Sequence, residues 1–240
     1  MSPRVLILAD CPGWAWDAKA RNLRRWLSGE FDVDVAYRAH YYIGEEPTWD
    51  GYDLVHTFEV AQVQPQVVPE SYRGKLVSGI TAHVIRYHSP GNPGYGEERV
   101  RAWASRCDAL HANSLLLLEE IRPFHERVRY CPNGVDPEFW HRYRDRPDQR
   151  VTFAHVGKPK ARKGYPLVSL TSLRLDVPLL TCYRTAHNAL PPSHLRELYN
   201  DAHVQIVFSD KDGTPCVGLE AAACENAIVS NHIGNMKEVL

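Results

Sequence analysis

Val5-Leu6-Ile7-Leu8-Ala9 is a continuous apolar run without polar alternation. A strand with one wet face alternates apolar and polar residues. A run without alternation fits a strand buried on both faces, as in a parallel sheet covered by helices. The sequence on either side agrees. A loop with Pro12 and Gly13 leads into residues 18–27, where Ala20, Leu23 and Leu27 share one helical face. Residues 31–37, 53–57 and 75–81 read as further strands. Residues 97–106 read as a helix, Ala109–Ala112 as a strand, Leu115–Ile121 as a helix and residues 128–131 as a strand. Alternation of this kind predicts an α/β unit with a parallel sheet.

Pro132-Asn133-Gly134-Val135-Asp136-Pro137 interrupts the alternation with turn-forming residues. The charged stretch 141–150 reads as a linker, and the boundary between a first domain (1–145) and a second (146–240) is drawn there. A second α/β series follows: strand 151–156, helix 164–173, strand Leu179–Cys182, helix 193–202, strand 204–208, helix 220–224 and strand Ala227–Ser230. Ser193, directly after Pro191-Pro192, reads as a helix N-cap. The expectation is two Rossmann-like halves joined by a hinge. Open parallel sheets bind ligands at the carboxyl ends of their strands, so a cleft between the halves is the expected site.

The bulk numbers narrow the function classes. The chain has 240 residues, 44% of them hydrophobic, which suffices for ordinary cores. Its 28 basic and 29 acidic residues give a net charge of -1, which argues against a protein that coats nucleic acid. The six cysteines form no C-x-x-C pair and read as reduced, mostly buried thiols. The first apolar run is too short for a signal peptide, and no run reaches membrane length. A cytoplasmic protein is expected.

Chemistry concentrates near the end of the chain. Asp212-Gly-Thr-Pro-Cys-Val-Gly-Leu-Glu220 sets two acids around a Gly/Pro loop and a small-residue helix. Backbone N–H groups of such a loop face an anion readily, while the carboxylates accept from hydroxyls. A ligand with phosphates at one end and hydroxyls at the other suits both, and that describes a nucleotide-sugar. Lys163, before Gly164 at a strand–loop–helix junction, is positioned to set its ammonium on a diphosphate. His83 follows the fourth strand at its carboxyl end. It reads either as a site residue or as a structural histidine, and Arg86, His88 and His111 are weaker candidates. Trp14 and Trp16, beside the Gly13 loop, read either as rings stacking on a sugar or as packing residues. Arg21, Arg24 and Arg25 share a helix face that is either solvated or in contact with anionic lipid.

Four segments resemble the family 4 retaining glycosyltransferases, in that family's order. Asn113-Ser114 resembles its segment before a helix. Pro132-Asn133-Gly134-Val135-Asp136 with Phe139 resembles its inter-domain PNGVDxxxF. Gly157-Lys158 with Arg162-Lys163-Gly164 resembles its GR…KG phosphate site. Asp212 to Glu220 with Ala221, Ala223 and Cys224 resembles its E-x7-E EAMACG. The resemblance implies a GT-B fold, with the nucleotide mainly on the second domain and the acceptor on the first. It implies a retaining, metal-independent sugar transfer from a nucleoside-diphosphate-sugar, with no cofactor. Lys163 would hold the diphosphate, Glu220 the ribose and Asp212 the donor sugar; Gly13, Gly157, Lys158, Gly213, Thr214 and Pro215 would shape the donor site. His83 would stand near sugar and acceptor, with Lys163 and Asp212 as its catalytic companions, and Trp14 and Trp16 on the acceptor. Departures stand beside the likeness. Lys158 replaces an Arg, Asp212 a Glu, Val84 an Asp, Glu225 and Ala227 a Gly and Pro, and Gly234-Asn235 a Gly pair. The chain stops two residues after Glu238, so the second domain is expected to be incomplete. A nucleotide-sugar-binding module without transfer activity and a GT-B epimerase are the alternatives.

Overall fold

The computed structural model describes residues 2–41, 47–83, 95–146, 150–183, 191–210 and 212–239. The chain divides into two compact units, Met1–Cys131 and Pro132–Leu240.

The first unit runs β1 (Arg4–Ala9), α1 (Ala15–Leu27), β2 (Asp32–Tyr37), α2 (Arg38–Tyr41), β3 (Leu54–Thr57), β4 (Lys75–Ile80), α3 (Gly96–Ala104), β5 (Ala109–Ala112), α4 (Leu115–Ile121) and β6 (Val128–Tyr130). Its six strands are parallel, in the order β2-β1-β3-β4-β5-β6. The apolar run that suggested a two-sided strand is a central strand, paired on both edges: Val5 faces Val33 on β2 and Leu54 on β3. Alternate side chains of β1 divide between two cores, as the period-2 geometry of a strand requires. Leu6 and Leu8 join Val55, Leu76, Ile80, Leu110 and Leu117 on one face. Val5, Ile7 and Ala9 join Ala20, Val33 and Phe58 on the other.

The second unit runs β7 (Phe153–Val156), α5 (Tyr165–Leu175), β8 (Leu179–Cys182), α6 (Pro192–Asp201), β9 (Val204–Val207), α7 (Cys216–Ala223), β10 (Ala227–Ser230) and α8 (Met236–Val239). Its strands are parallel in the order β10-β9-β7-β8. Tyr199 of α6, fully buried, packs with Ala221 of α7 and with Cys224 just after it. Val207, Ile233 and Met236 form a second small cluster.

Both sheets contain a topological switch point. In the first, the chain leaves β1 toward β2 and returns to β3 on the other side of β1. In the second, it leaves β7 toward β8 and returns to β9 on the other side of β7. The loops after β1 and β3, and those after β7 and β9, therefore diverge to opposite sides and leave a crevice at the strands' carboxyl ends.

Several expectations change. The stretch read as a linker is tied to the second unit as far as it is described: the Tyr143 N–H donates to Asn200 Oδ1 (2.9 Å), and Arg144 pairs with Asp201 (2.6 Å). Arg146 adds bonds to the Ala202 and Glu225 carbonyls. Charge density suggested a solvated tether, but these charges have fixed partners, so the units divide at Cys131 rather than after 145. Helix α6 begins at Pro192, whose fixed φ suits a first helical position, so Ser193 lies inside it rather than capping it. Helix α7 begins at Cys216, not Glu220, because the extended Pro215 ends the loop early. Of the six free cysteines, Cys107, Cys182 and Cys224 are buried, Cys11 and Cys216 partly so, and Cys131 is exposed. The expectation that most would be buried holds for half of them.

Gly164 is required twice over. It sits at φ 68°, and a Cβ there would come within 2.5 Å of Phe208 Cβ. Gly164→Ala is expected to destabilise the second unit by about 2–4 kcal/mol through left-handed strain and overpacking. An unchanged denaturant midpoint for that unit would contradict this.

Candidate functional site

In the second unit the crevice is built by two loops. The first follows β7 through Gly157 and a short 3-10 turn, Ala161–Lys163, into α5. The second follows β9 through Asp212, Gly213, Thr214 and Pro215 into α7. Hydrogen bonds join them: the Asp210 N–H donates to the Arg162 carbonyl (2.9 Å), and Ser209 Oγ donates to the same oxygen (3.2 Å). Held this way, Lys163 Nζ donates to Asp212 Oδ2 at 2.5 Å, and both side chains are about a quarter exposed, 25% and 23%. Gly213, Thr214 and Pro215 are buried, whereas Lys158 is exposed on the first loop.

Gly234 supports the second loop from behind. At φ 54° it presses on the Gly213 carbonyl, which a Cβ would approach to 2.5 Å. Gly218 lets α7 meet Met236 of α8, whose Sδ would lie 2.7 Å from a Cβ. The close approach thus holds the Asp212–Pro215 loop against the start of the last helix.

Glu220 stands one turn inside α7. The Tyr199 hydroxyl donates to its Oε2 at 3.2 Å. Burial raises the Glu220 pKa to about 7, and the Tyr199 hydrogen bond only partly offsets this. Burial, and then the nearby Glu220, push the Tyr199 hydroxyl well above its ordinary value. A carboxyl kept partly short of water in this way gains from ligand hydroxyls that donate to it. Asn133 of the Pro132–Asp136 segment reaches the start of α7, where its Nδ2 lies 3.7 Å from Cys216 Sγ. Trp140 then packs on Tyr199, with ring centroids 5.8 Å apart.

In the first unit the loop after β1 carries Gly13. Its N–H donates to Oδ2 of the buried Asp17 at 2.7 Å, and Arg21 and the Tyr37 hydroxyl donate to the same carboxylate, each at 2.7 Å. Trp14 is half exposed, at the start of α1. Trp16 instead stacks on Phe58 at 6.0 Å and packs against the core. His83, after β4, has its Nδ1 2.7 Å from Glu120 Oε2 of α4. Ser114 caps α4 by accepting from the Leu117 N–H, which sets the helix that carries Glu120. Glu59, after β3, is buried and accepts from the Val60 N–H at 2.8 Å. Its pKa is raised to about 8, chiefly by burial, with a further contribution from Glu120. His111 belongs to a partly buried pair with His56, Nε2 to Nε2 at 2.8 Å. Arg86 and His88 lie outside the described residues.

The structure thus brings together Lys163 with Asp212, and the Asp212 loop with the helix that carries Glu220. Sequence reasoning missed Tyr199, Asp17, Glu59 and Glu120. Tyr199 meets Glu220, and Asp17 meets Tyr37, through the fold, whereas the i,i+4 spacing of Asp17 and Arg21 could have been read from the sequence. Among the described residues no group of three or more His, Cys, Asp or Glu side chains is arranged to hold a metal ion. No described helix is long and apolar enough to cross a membrane.

No family model matches the chain, and no curated protein matches it. Solved structures do. Sucrose-phosphate synthase from Thermosynechococcus elongatus superposes with a TM-score of 0.73 at 13% identity, over 99% of this chain and 83% of that one. An α,α-trehalose-phosphate synthase (UDP-forming) from Burkholderia xenovorans gives 0.61 at 12% identity, over 99% and 86%. AviGT4, a glycosyltransferase involved in avilamycin A biosynthesis, gives 0.57 at 15% identity, over 99% and 81%. At such identities the likeness speaks for the fold. The chain has the GT-B fold, in two parallel-sheet α/β units of six and four strands.

Proposed function

We propose that this chain is a retaining glycosyltransferase of the family 4 type, moving a sugar from a nucleoside-diphosphate-sugar to an acceptor. The observation that carries this reading is the Lys163–Asp212 pair at the switch point of the second sheet, with Glu220 one turn inside the following helix. A cation held between two loops is suited to a diphosphate leaving group, on which charge grows during transfer. Asp212 would turn to the donor sugar and Glu220 to the ribose. Nucleotide recognition falls to the second unit and acceptor recognition to the first, where the Gly13 loop, Trp14 and His83 are the candidates. One of the structural neighbours is described as UDP-forming, so UDP is the first nucleotide to try. The α1 basic residues as a contact for anionic lipid remain a subsidiary proposal.

The test is calorimetry with UDP, GDP and ADP, followed by turnover of the matching sugar donor. Binding of one nucleotide with turnover supports the reading. Absence of binding to the folded chain would refute it, and binding without turnover would favour the module that binds nucleotide-sugars without transfer. The Lys163–Asp212 pair gives that second reading its support, because a resting ammonium already neutralised must be released before it serves a leaving group. We further propose that transfer needs no metal, because Lys163 supplies the fixed positive charge. Turnover is expected to be unchanged in chelator, and its loss there would overturn this point.

A further inference from the structure

The His83–Glu120 pair has more definition than a resting surface contact needs. The side chains are only 14% and 6% exposed, and the bond is 2.7 Å. His83 follows β4, Glu59 follows β3 and Glu120 lies on the helix after β5, so three neighbouring strands deliver these groups to one end of the sheet. Glu59 and Glu120 are close enough to repel one another. Two carboxyls in a dry site do not both hold a charge easily. Glu59 is the one that keeps its proton at neutral pH, because burial lifts its pKa to about 8. A Glu120 carboxylate can only accept, so across the 2.7 Å contact His83 Nδ1 would carry the ring proton. The other nitrogen, Nε2, is bonded by no described residue. In the neutral ring with its proton on Nδ1, Nε2 is an acceptor with a fixed direction.

We propose that Glu120 is a positioning residue: it locks His83 with its proton on Nδ1, so that Nε2 accepts a hydrogen bond from a hydroxyl of a bound carbohydrate. An Nε2 fixed as an acceptor favours a hydroxyl and disfavours a phosphate or carbonyl oxygen, since two acceptors facing each other leave both unsatisfied. The inference rests on the transferase reading for its ligand, while the lock itself is a property of the unliganded chain.

The test is nitrogen NMR of the chain with labelled histidine, with His83→Asn used to assign the ring. The expected result is the Nδ1–H tautomer for His83 in the wild type and the Nε2–H tautomer in Glu120→Ala. Glu120→Leu, close in volume and without an acceptor, should behave like Glu120→Ala and covers the case in which Ala leaves the site unfolded. Glu120→Gln, whose amide oxygen can accept in the same place, should retain Nδ1–H. A His83 that is Nε2–H or doubly protonated in the wild type, or unchanged in Ala and Leu, overturns the proposal. Donor turnover separates this from the reading beneath it. Glu120→Ala is expected to lower kcat/KM about 10- to 100-fold, with nucleoside-diphosphate affinity unchanged and with rescue by Gln. A wild type that turns over no nucleotide-sugar removes the transferase reading. A wild type that does, beside a Glu120→Ala chain with a switched tautomer and full kcat/KM, overturns the positioning role alone.

Discussion

Lys163→Ala is expected to weaken binding of the matching nucleoside diphosphate about 100-fold, the size of one lost charge-assisted contact of about 2–3 kcal/mol. A lysine on an open surface would give far less, because water screens it. Lys163 differs in being held: its Nζ lies 2.5 Å from Asp212, in loops joined through the Arg162 carbonyl. A diphosphate carries more charge than one carboxylate and can draw the ammonium toward itself. Removing the ammonium also leaves Asp212 uncompensated beside the phosphates, so repulsion adds to the lost attraction. The two contributions are separable. In Lys163→Ala/Asp212→Asn the repulsion is gone, and part of the affinity is expected to return. Lys163→Arg keeps the charge but changes its shape, and an intermediate loss is expected. Calorimetry with UDP, GDP and ADP on the four proteins reads all of this. A Lys163→Ala affinity within about threefold of the wild type would show that the ammonium serves only its ion pair, since a fixed contact to phosphate is worth more than that.

How much of this was legible in the sequence varies with the kind of order involved. The unbroken apolar run at residues 5–9 sufficed for the central strand, because burial on both faces removes every reason to alternate. The short strands and helices followed from the same periodicity, within a residue or two at most ends. The candidate site was legible as a set of residue types: Lys163 before a glycine, Asp212 in a loop and Glu220 in a small-residue helix. Their partners were not. That Lys163 meets Asp212 depends on β9 returning beside β7, a crossing that no local pattern records. Residues 141–146 misled because a cluster of charges reads as solvated chain, whereas Arg142, Arg144 and Arg146 each reach a partner in the second unit. His83 looked like a lone histidine because Glu120 stands on a helix that the sequence marks only as apolar and capped.

The partly buried pair of His56 and His111 is expected to make the first unit lose stability in acid. The rings stack 5.1 Å apart, with Nε2 atoms at 2.8 Å, across Gly79 of the intervening strand. A Cβ at that glycine would come within 2.9 Å of His111 Cε1, so the glycine makes the room. Burial depresses both rings, His56 to about 3 and His111 to about 4, from an ordinary 6.5. The sign follows from proton counting. Between the folded and unfolded values the unfolded chain binds protons that the folded unit refuses, so stability is fully present above 6.5 and falls with the pH below it. Two such groups give a slope of about 2.7 kcal/mol per pH unit. Glu59 opposes them: its value is raised to about 8, so the folded unit holds a proton the unfolded chain has released, and stability rises as the pH falls toward 4.5. The wild-type unit should therefore lose about 1.4 kcal/mol per pH unit below 6.5, and the loss should level off as the folded rings take up protons near 4 and 3. The variant His56→Leu/His111→Leu, near in volume and without protons to bind, should reverse the slope and gain stability as the pH falls from 6.5 toward 4.5. Urea unfolding of the first unit at stepped pH measures both curves. If the variant runs parallel to the wild type, the folded rings take up protons as the unfolded chain does, and burial does not hold them neutral.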